Sequence, residues 1–111
     1  MKRCAILGLI VFAVTAAESC NPLWAQNIGN AREGAMLARQ VCAECHGVLA
    51  NDTKSPNPMA PTFVSAAAAP GMTERALRVW LQSPHPTMPN LVLTNDQKDN
   101  VIAYIIGLKR K

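Results

Sequence analysis

The chain is 111 residues long, half of them hydrophobic, with a formal charge of +4. That length has room for one domain and little more. The positive balance is too small and too scattered to mark a nucleic-acid-binding protein.

Taken from the N-terminus, Met1-Lys2-Arg3 is a basic start. An unbroken apolar or small run follows from Ala5 to Val14, and then the small residues Thr15-Ala16-Ala17. This is the pattern of a secretory signal peptide. The run is shorter than the roughly 20 residues a spanning helix needs, which disfavours a retained anchor and stable membrane insertion. Two cleavage points compete, one after Ala25 and one after Ala17. Ala25 is favoured, because Gln26-Asn27-Ile28-Gly29 leads directly into a capped helix. Residues 1–25 are read as a cleaved leader and residues 26–111 as the mature domain, exported to the periplasm. Cys20 follows Ala17-Glu18-Ser19, whose charge suits a lipidation site poorly. Cleavage after Ala25 removes Cys4 and Cys20 and leaves Cys42 and Cys45. In an exported protein a single pair would otherwise suggest a disulfide.

The first helix is expected from Asn30. Asn at the N-cap with Glu33 three residues on resembles a capping box. Gly34, Leu37, Ala38 and Val41 share one face at helical spacing. A glycine inside a helix costs about 1 kcal/mol against alanine, which points to a close approach of another helix, a tolerated defect being the other reading. The helix runs into Cys42-Ala43-Glu44-Cys45-His46. Two cysteines two residues apart, followed at once by histidine, form the attachment signature of a c-type haem. The two sulfurs can add across two vinyl groups on one porphyrin edge. The adjacent histidine can then reach the iron from one side. The motif therefore predicts haem c linked through Cys42 and Cys45, with His46 as one axial ligand.

From Gly47 to Met72 the sequence reads as a loop. It carries Asn51, Asp52, Ser55, Pro56, Asn57, Pro58, Pro61 and Pro70, and only a short helical turn is expected, over Ala66 to Ala69. A loop of that length in a small domain is usually functional, and here it would wrap one face and the lower edge of the haem. A second helix is expected from Thr73 to Gln82, with Leu77, Trp80 and Leu81 as its apolar stripe and Pro84 as its stop. The proline-rich segment from Ser83 to Asn90 follows. The third helix starts at a capping box, Thr94 with Gln97, and buries Val101, Ile102, Ile105 and Leu108. No alternating strand pattern occurs, so the fold class is all-α: three main helices with long loops around one covalently bound haem.

The sixth ligand is chosen among Met36, Met59, Met72, Met88 and His85. A thioether ligand needs a loop that holds it over the iron. Met88 stands between Pro86 and Pro89, whose fixed φ angles stiffen the segment. Met36 belongs to the first helix, Met72 adjoins Gly71, and Met59 lies in the loop expected on the His46 side. His85 remains the rival. A methionine–histidine pair would raise the potential relative to two histidines. A thioredoxin-like dithiol wants a βαβ context that is missing. A zinc site would use up Cys42, Cys45, His46 and His85, with His46 badly placed beside Cys45.

These residues resemble a class I bacterial cytochrome c from about Asn27 to Leu108. The resemblance rests on Gly34 eight residues before Cys42, the Cys42-to-Gly47 segment, His85-Pro86 with Met88-Pro89, and Tyr104 in the last helix. It implies the cytochrome c fold, with Gly34 allowing the first helix to cross the last near Tyr104. It also implies that the Pro61 carbonyl accepts a hydrogen bond from His46, an outer contact that orients a ligand ring. It places Trp80 near the haem propionates; plain core packing is the other reading of that residue.

The expected function is that of a periplasmic one-electron carrier with no substrate site at the iron, hence not an enzyme. It would be a monomer that docks weakly on donor and acceptor proteins through a small interface. The alternative is a haem c subunit of a periplasmic dehydrogenase or sulfur-oxidising complex. A gas- or peroxide-reactive haem would need an open coordination position. A core with only Phe63, Trp80 and Tyr104 as aromatics is thin, and a chain this small usually needs a staple. The haem would supply it, and the haem-free chain is expected to be largely unfolded.

Overall fold

The structure, a computed structural model, describes residues 29–84 and 87–109. The expected leader with its two cleavage points, Cys4, Cys20, His85 and Pro86 lie outside the described residues. Four α-helices follow one another: α1 (Ala31–Leu37), α2 (Phe63–Ala68), α3 (Glu74–Gln82) and α4 (Asn95–Leu108). Among the described residues there is no strand element, and no helix is long and apolar enough to cross a membrane. The all-α reading holds.

Helix α1 begins where Asn30 caps it. The Asn30 side chain accepts from the N–H groups of Arg32 and Glu33 at 3.0 and 3.3 Å. The expected return bond from Glu33 goes elsewhere. Asn100 of α4 stands between the two partners: its Oδ1 accepts from the Asn30 N–H at 2.7 Å, and its Nδ2 donates to the Glu33 carboxylate at 2.8 Å. The cap is thus closed through a residue 70 positions away. It serves both as a helix start and as a clamp between the chain's first and last helices.

Beyond Leu37 the helix widens into a π segment, Ala38–Cys42. The Ala43 N–H donates to the Ala38 carbonyl at 2.9 Å, five residues back rather than four. Such single widened turns occur mostly at functional sites. This one ends on Cys42.

The crossing of α1 and α4 is a backbone contact. A Cβ placed on Gly34 would overlap the Asn100 carbonyl and lie 2.9 Å from the Val101 nitrogen. The close approach anticipated at Gly34 is therefore real, and it centres on Asn100 and Val101, one turn before Tyr104. The α4 capping box is complete: Gln97 N–H donates to Thr94 Oγ1 at 3.2 Å, and Thr94 N–H to Gln97 Oε1 at 2.9 Å. All four residues expected inside, Val101, Ile102, Ile105 and Leu108, are buried. They form the core with Ala38, Val48, Phe63, Ala67 and Leu77.

Helix α2 begins three residues earlier than the alanine run suggests. Thr62 Oγ1 accepts from the Ser65 N–H at 3.1 Å and starts the helix directly after Pro61. A threonine cap outweighs the alanine count, because it satisfies an N–H that the helix leaves open. Helix α3 is capped by Thr73, as expected. Its expected apolar stripe is only partly inside: Leu77 is buried, Leu81 is partly so, and Trp80 is 54% exposed. The pair Arg78–Asp99 ties α3 to α4.

Candidate haem site

The site begins as a helix end. Cys42 closes the π segment, and the N–H groups of Cys45 and His46 both donate to its carbonyl, at 3.2 and 2.9 Å. One turn of backbone therefore carries both sulfurs and the imidazole. The cysteines are free thiols, each partly buried. Burial pushes the Cys42 thiol pKa up from its ordinary value, because the charged form is poorly solvated there. Among the described residues no group of three or more His, Cys, Asp or Glu converges as a chelating cluster. This donor set does not cage an ion. It offers two thiols and a single imidazole on one turn of backbone, which fits covalent attachment of a porphyrin and one ligand to its iron.

The loop after His46 is tied onto this turn by several hydrogen bonds to its backbone. The Gly47 N–H donates to Ser55 Oγ at 3.0 Å, and the Asn57 N–H to the Cys45 carbonyl at 3.1 Å. The Phe63 N–H donates to the Gly47 carbonyl at 2.8 Å. Gly47 is buried against this loop, and a Cβ there would stand 2.7 Å from the Lys54 carbonyl. Asp52 closes a small turn of its own by accepting from the Leu49 N–H at 2.8 Å.

The result of those ties is the placement of Pro61. Its carbonyl oxygen lies 2.7 Å from His46 Nδ1. A carbonyl can only accept, so Nδ1 carries the proton. The lone pair is then on Nε2, the nitrogen free to bind a metal. The proton on Nδ1 also fixes the tautomer and makes Nε2 more basic. On its other side the His46 ring meets Phe63, with centroids 5.5 Å apart and planes tilted by 51°.

The other expected site residues fall as follows. Met88 is partly buried, in the segment between α3 and α4, and Pro89 follows it. Its neighbour Pro86 and the rival His85 are outside the described residues. Trp80 stands on α3 and is not part of the core. Of the other methionines, Met36 and Met59 are exposed, Met59 at 74%, and Met72 packs against the core. Asn100, Ser55 and Thr62 were not legible as structural keystones. Each acts through a partner far along the chain or through a loop without periodicity, so no local spacing reports it.

The described chain from residue 29 to residue 105 matches the family model of the cbb3-type cytochrome c oxidase subunit III. The chain is also 33% identical over 102 residues to cytochrome c-552 of Bradyrhizobium diazoefficiens, covering 92% of this chain and 93% of that protein. No solved structure matches. Both likenesses run across the cysteine–histidine turn and the helices that hold it, and a family whose members carry haem c fits the donor set found there. The chain belongs to this family of small monohaem c-type cytochromes.

Proposed function

We propose that the protein is a periplasmic one-electron carrier. One haem c is attached through Cys42 and Cys45, and its iron is held by His46 Nε2 and the Met88 thioether. The observation that carries this reading is the 2.7 Å contact from His46 Nδ1 to the Pro61 carbonyl. It leaves one imidazole nitrogen with a lone pair, next to the two thiols, on a loop fixed by backbone hydrogen bonds. Met88 is supported by chemistry and by its neighbours. It is the partly buried methionine on the segment joining α3 and α4, with Pro89 limiting its backbone. Trp80, half-exposed on α3, is read as standing near a haem propionate.

When bound, the haem supplies reversible one-electron chemistry at its iron. The chain's own residues do the rest. Cys42 and Cys45 would attach the haem, His46, oriented by Pro61, and Met88 would hold its iron, and Met88 would keep water from it. With His46 and Met88 both held on the iron there would be no site for a substrate, which supports a carrier rather than an enzyme. Its partners are donor and acceptor proteins that dock weakly.

A redox titration of the purified holoprotein, followed by its spectra, tests this. The expected result is one single-electron wave at a positive potential. The oxidised protein should show the weak absorption band near the red edge of the visible that marks iron–thioether bonding. Absence of the band would remove Met88 and favour His85. Rapid carbon monoxide binding to the reduced protein at neutral pH would remove the closed six-coordinate centre.

The family description names an oxidase subunit, and this favours a second reading: a haem c subunit with a permanent partner in a periplasmic complex. The chemistry at the iron is unchanged. Native mass of the protein purified from its source separates the two, since a carrier runs alone.

A further inference from the structure

We propose that Phe63, braced by Tyr104, is a positioning residue that sets the rotation of the His46 imidazole, and through it the electronic asymmetry of the haem iron. The inference rests on the reading of His46 as an iron ligand. The hydrogen bond to Pro61 fixes one nitrogen of the ring. It restrains the ring plane only loosely, because a hydrogen bond keeps most of its strength over tens of degrees of swing. A second contact can narrow that range, and Phe63 is in place to supply it. Its ring lies 5.5 Å from the imidazole, within the range where aromatic faces and edges attract.

Phe63 cannot yield easily. It is 6% exposed, and its own N–H is bound to the Gly47 carbonyl. Tyr104 of α4 also packs on it, with centroids 6.4 Å apart and planes tilted by 58°. Tyr104 is held in turn, since its hydroxyl donates to the Val48 carbonyl at 2.6 Å. Val48 is two residues beyond His46. The contacts therefore run from His46 to Phe63, to Tyr104, to Val48, and return along the chain to His46. Turning the imidazole would push Phe63, and moving Phe63 would push Tyr104 off its hydrogen bond. A close-packed interior resists such displacement.

The consequence is electronic. An axial imidazole overlaps the iron d orbitals in one direction across the porphyrin, so its rotation decides how unpaired spin spreads over the ring in the ferric state. A locked rotation also removes one coordinate that would otherwise relax during electron transfer.

The test uses holoprotein carrying Phe63→Leu, Tyr104→Phe, or, as a control, Asn100→Ala. Asn100 clamps α1 to α4 and is not part of the circuit, so its loss destabilises without touching His46. Proton spectra of the ferric proteins report the haem-methyl shifts, and electron paramagnetic resonance reports the anisotropy. Phe63→Leu should redistribute the methyl shifts and move the potential. Tyr104→Phe should do so in the same sense and by less, and Asn100→Ala should leave the pattern of the parent protein. If Phe63→Leu and Tyr104→Phe only lower the melting temperature, as Asn100→Ala does, both residues are packing and the proposal is overturned. Should Phe63→Leu give no holoprotein, Tyr104→Phe decides alone, because it keeps the ring and removes only the anchor. The unsubstituted protein is measured first. A spectrum without histidine ligation would remove the proposed ligand set and this inference with it; histidine ligation with unmoved variants removes the inference only.

Discussion

The two sides of the proposed haem centre are held by different physics. On the His46 side, the loop from Gly47 to Phe63 is stitched to the cysteine turn by backbone hydrogen bonds and packed onto α4 through Phe63 and Tyr104. On the Met88 side, the segment between α3 and α4 is mostly at the surface. Pro89 and Asn90 are exposed there, and Val92 is almost fully so. The first side is part of the fold. The second is a strap whose stiffness comes from proline and, in the proposed holoprotein, from the iron–sulfur bond itself. Damage on the His46 side should therefore register as lost stability, and damage on the Met88 side as a changed iron.

The largest effect is expected where the buried side rests on backbone contact. Gly34→Val would drive a side chain into the Asn100 carbonyl and force α1 off α4. Overpacking of that kind costs about 3 kcal/mol or more in a protein whose total stability is only several times that. The yield of folded holoprotein and the urea midpoint measure it. A variant that folds with a normal midpoint would show that the two helices can part without loss, and would remove the basis of the comparison.

Met88→Ala comes next, and its readout is different. The expected outcome is loss of the iron–thioether band, a lower reduction potential, and carbon monoxide binding where the parent protein has none. Haem attachment should persist, because Cys42 and Cys45 belong to the other side. If instead Met88→Ala abolishes holoprotein, the strap is as much a part of the fold as the loop it faces.

Most of the first region could be read from the residues, and the reasons are physical. Caps and amphipathic periodicity are local, so Asn30, Thr73, Thr94 and the buried face of α4 were foreseeable. The cysteine–histidine spacing is local as well. The start of α2 differs from the alanine run because one cap residue, Thr62, outweighs four alanines in setting where a helix begins. The clamp at Asn100 was invisible: its partners, Asn30 and Glu33, are brought near only by the crossing at Gly34. The same holds for Ser55 on Gly47 and for the Tyr104 hydroxyl on Val48, since a partner found through tertiary packing leaves no period in the sequence. On the second side the proline spacing around Met88 carried the whole argument, and nothing local says which ligand the iron takes.

Asn100→Ala sharpens the comparison at the boundary between helices. It removes an acceptor for the Asn30 N–H and a donor to the Glu33 carboxylate, both near the surface. Water can replace part of each bond. The expected loss is about 1–2 kcal/mol, below the ordinary worth of two buried hydrogen bonds of which one involves a charge. Denaturant unfolding measures it, and the potential should stay where it was. A shift in potential without a loss of stability would mean that α1 acts on the iron rather than on the fold.

The smallest effect is expected at the link between the two regions. Helix α3 leads into the Met88 strap, and the Arg78–Asp99 pair is one of its ties to α4. Arg78 is about a third exposed and Asp99 less so, which leaves solvent to screen much of the attraction. Asp99→Asn should then cost under about 1 kcal/mol. The difference from the parent protein should shrink further in 1 M salt, where the screening length falls to about 3 Å. The iron–thioether band should survive if, as in the proposed holoprotein, the bond from Met88 to the iron fixes the strap. If the band weakens in Asp99→Asn while the melting temperature barely moves, the strap depends on how α3 sits on α4. A surface ion pair far from the cysteine turn would then control the sixth ligand, and the His46 and Met88 sides would be coupled through α4 rather than held separately.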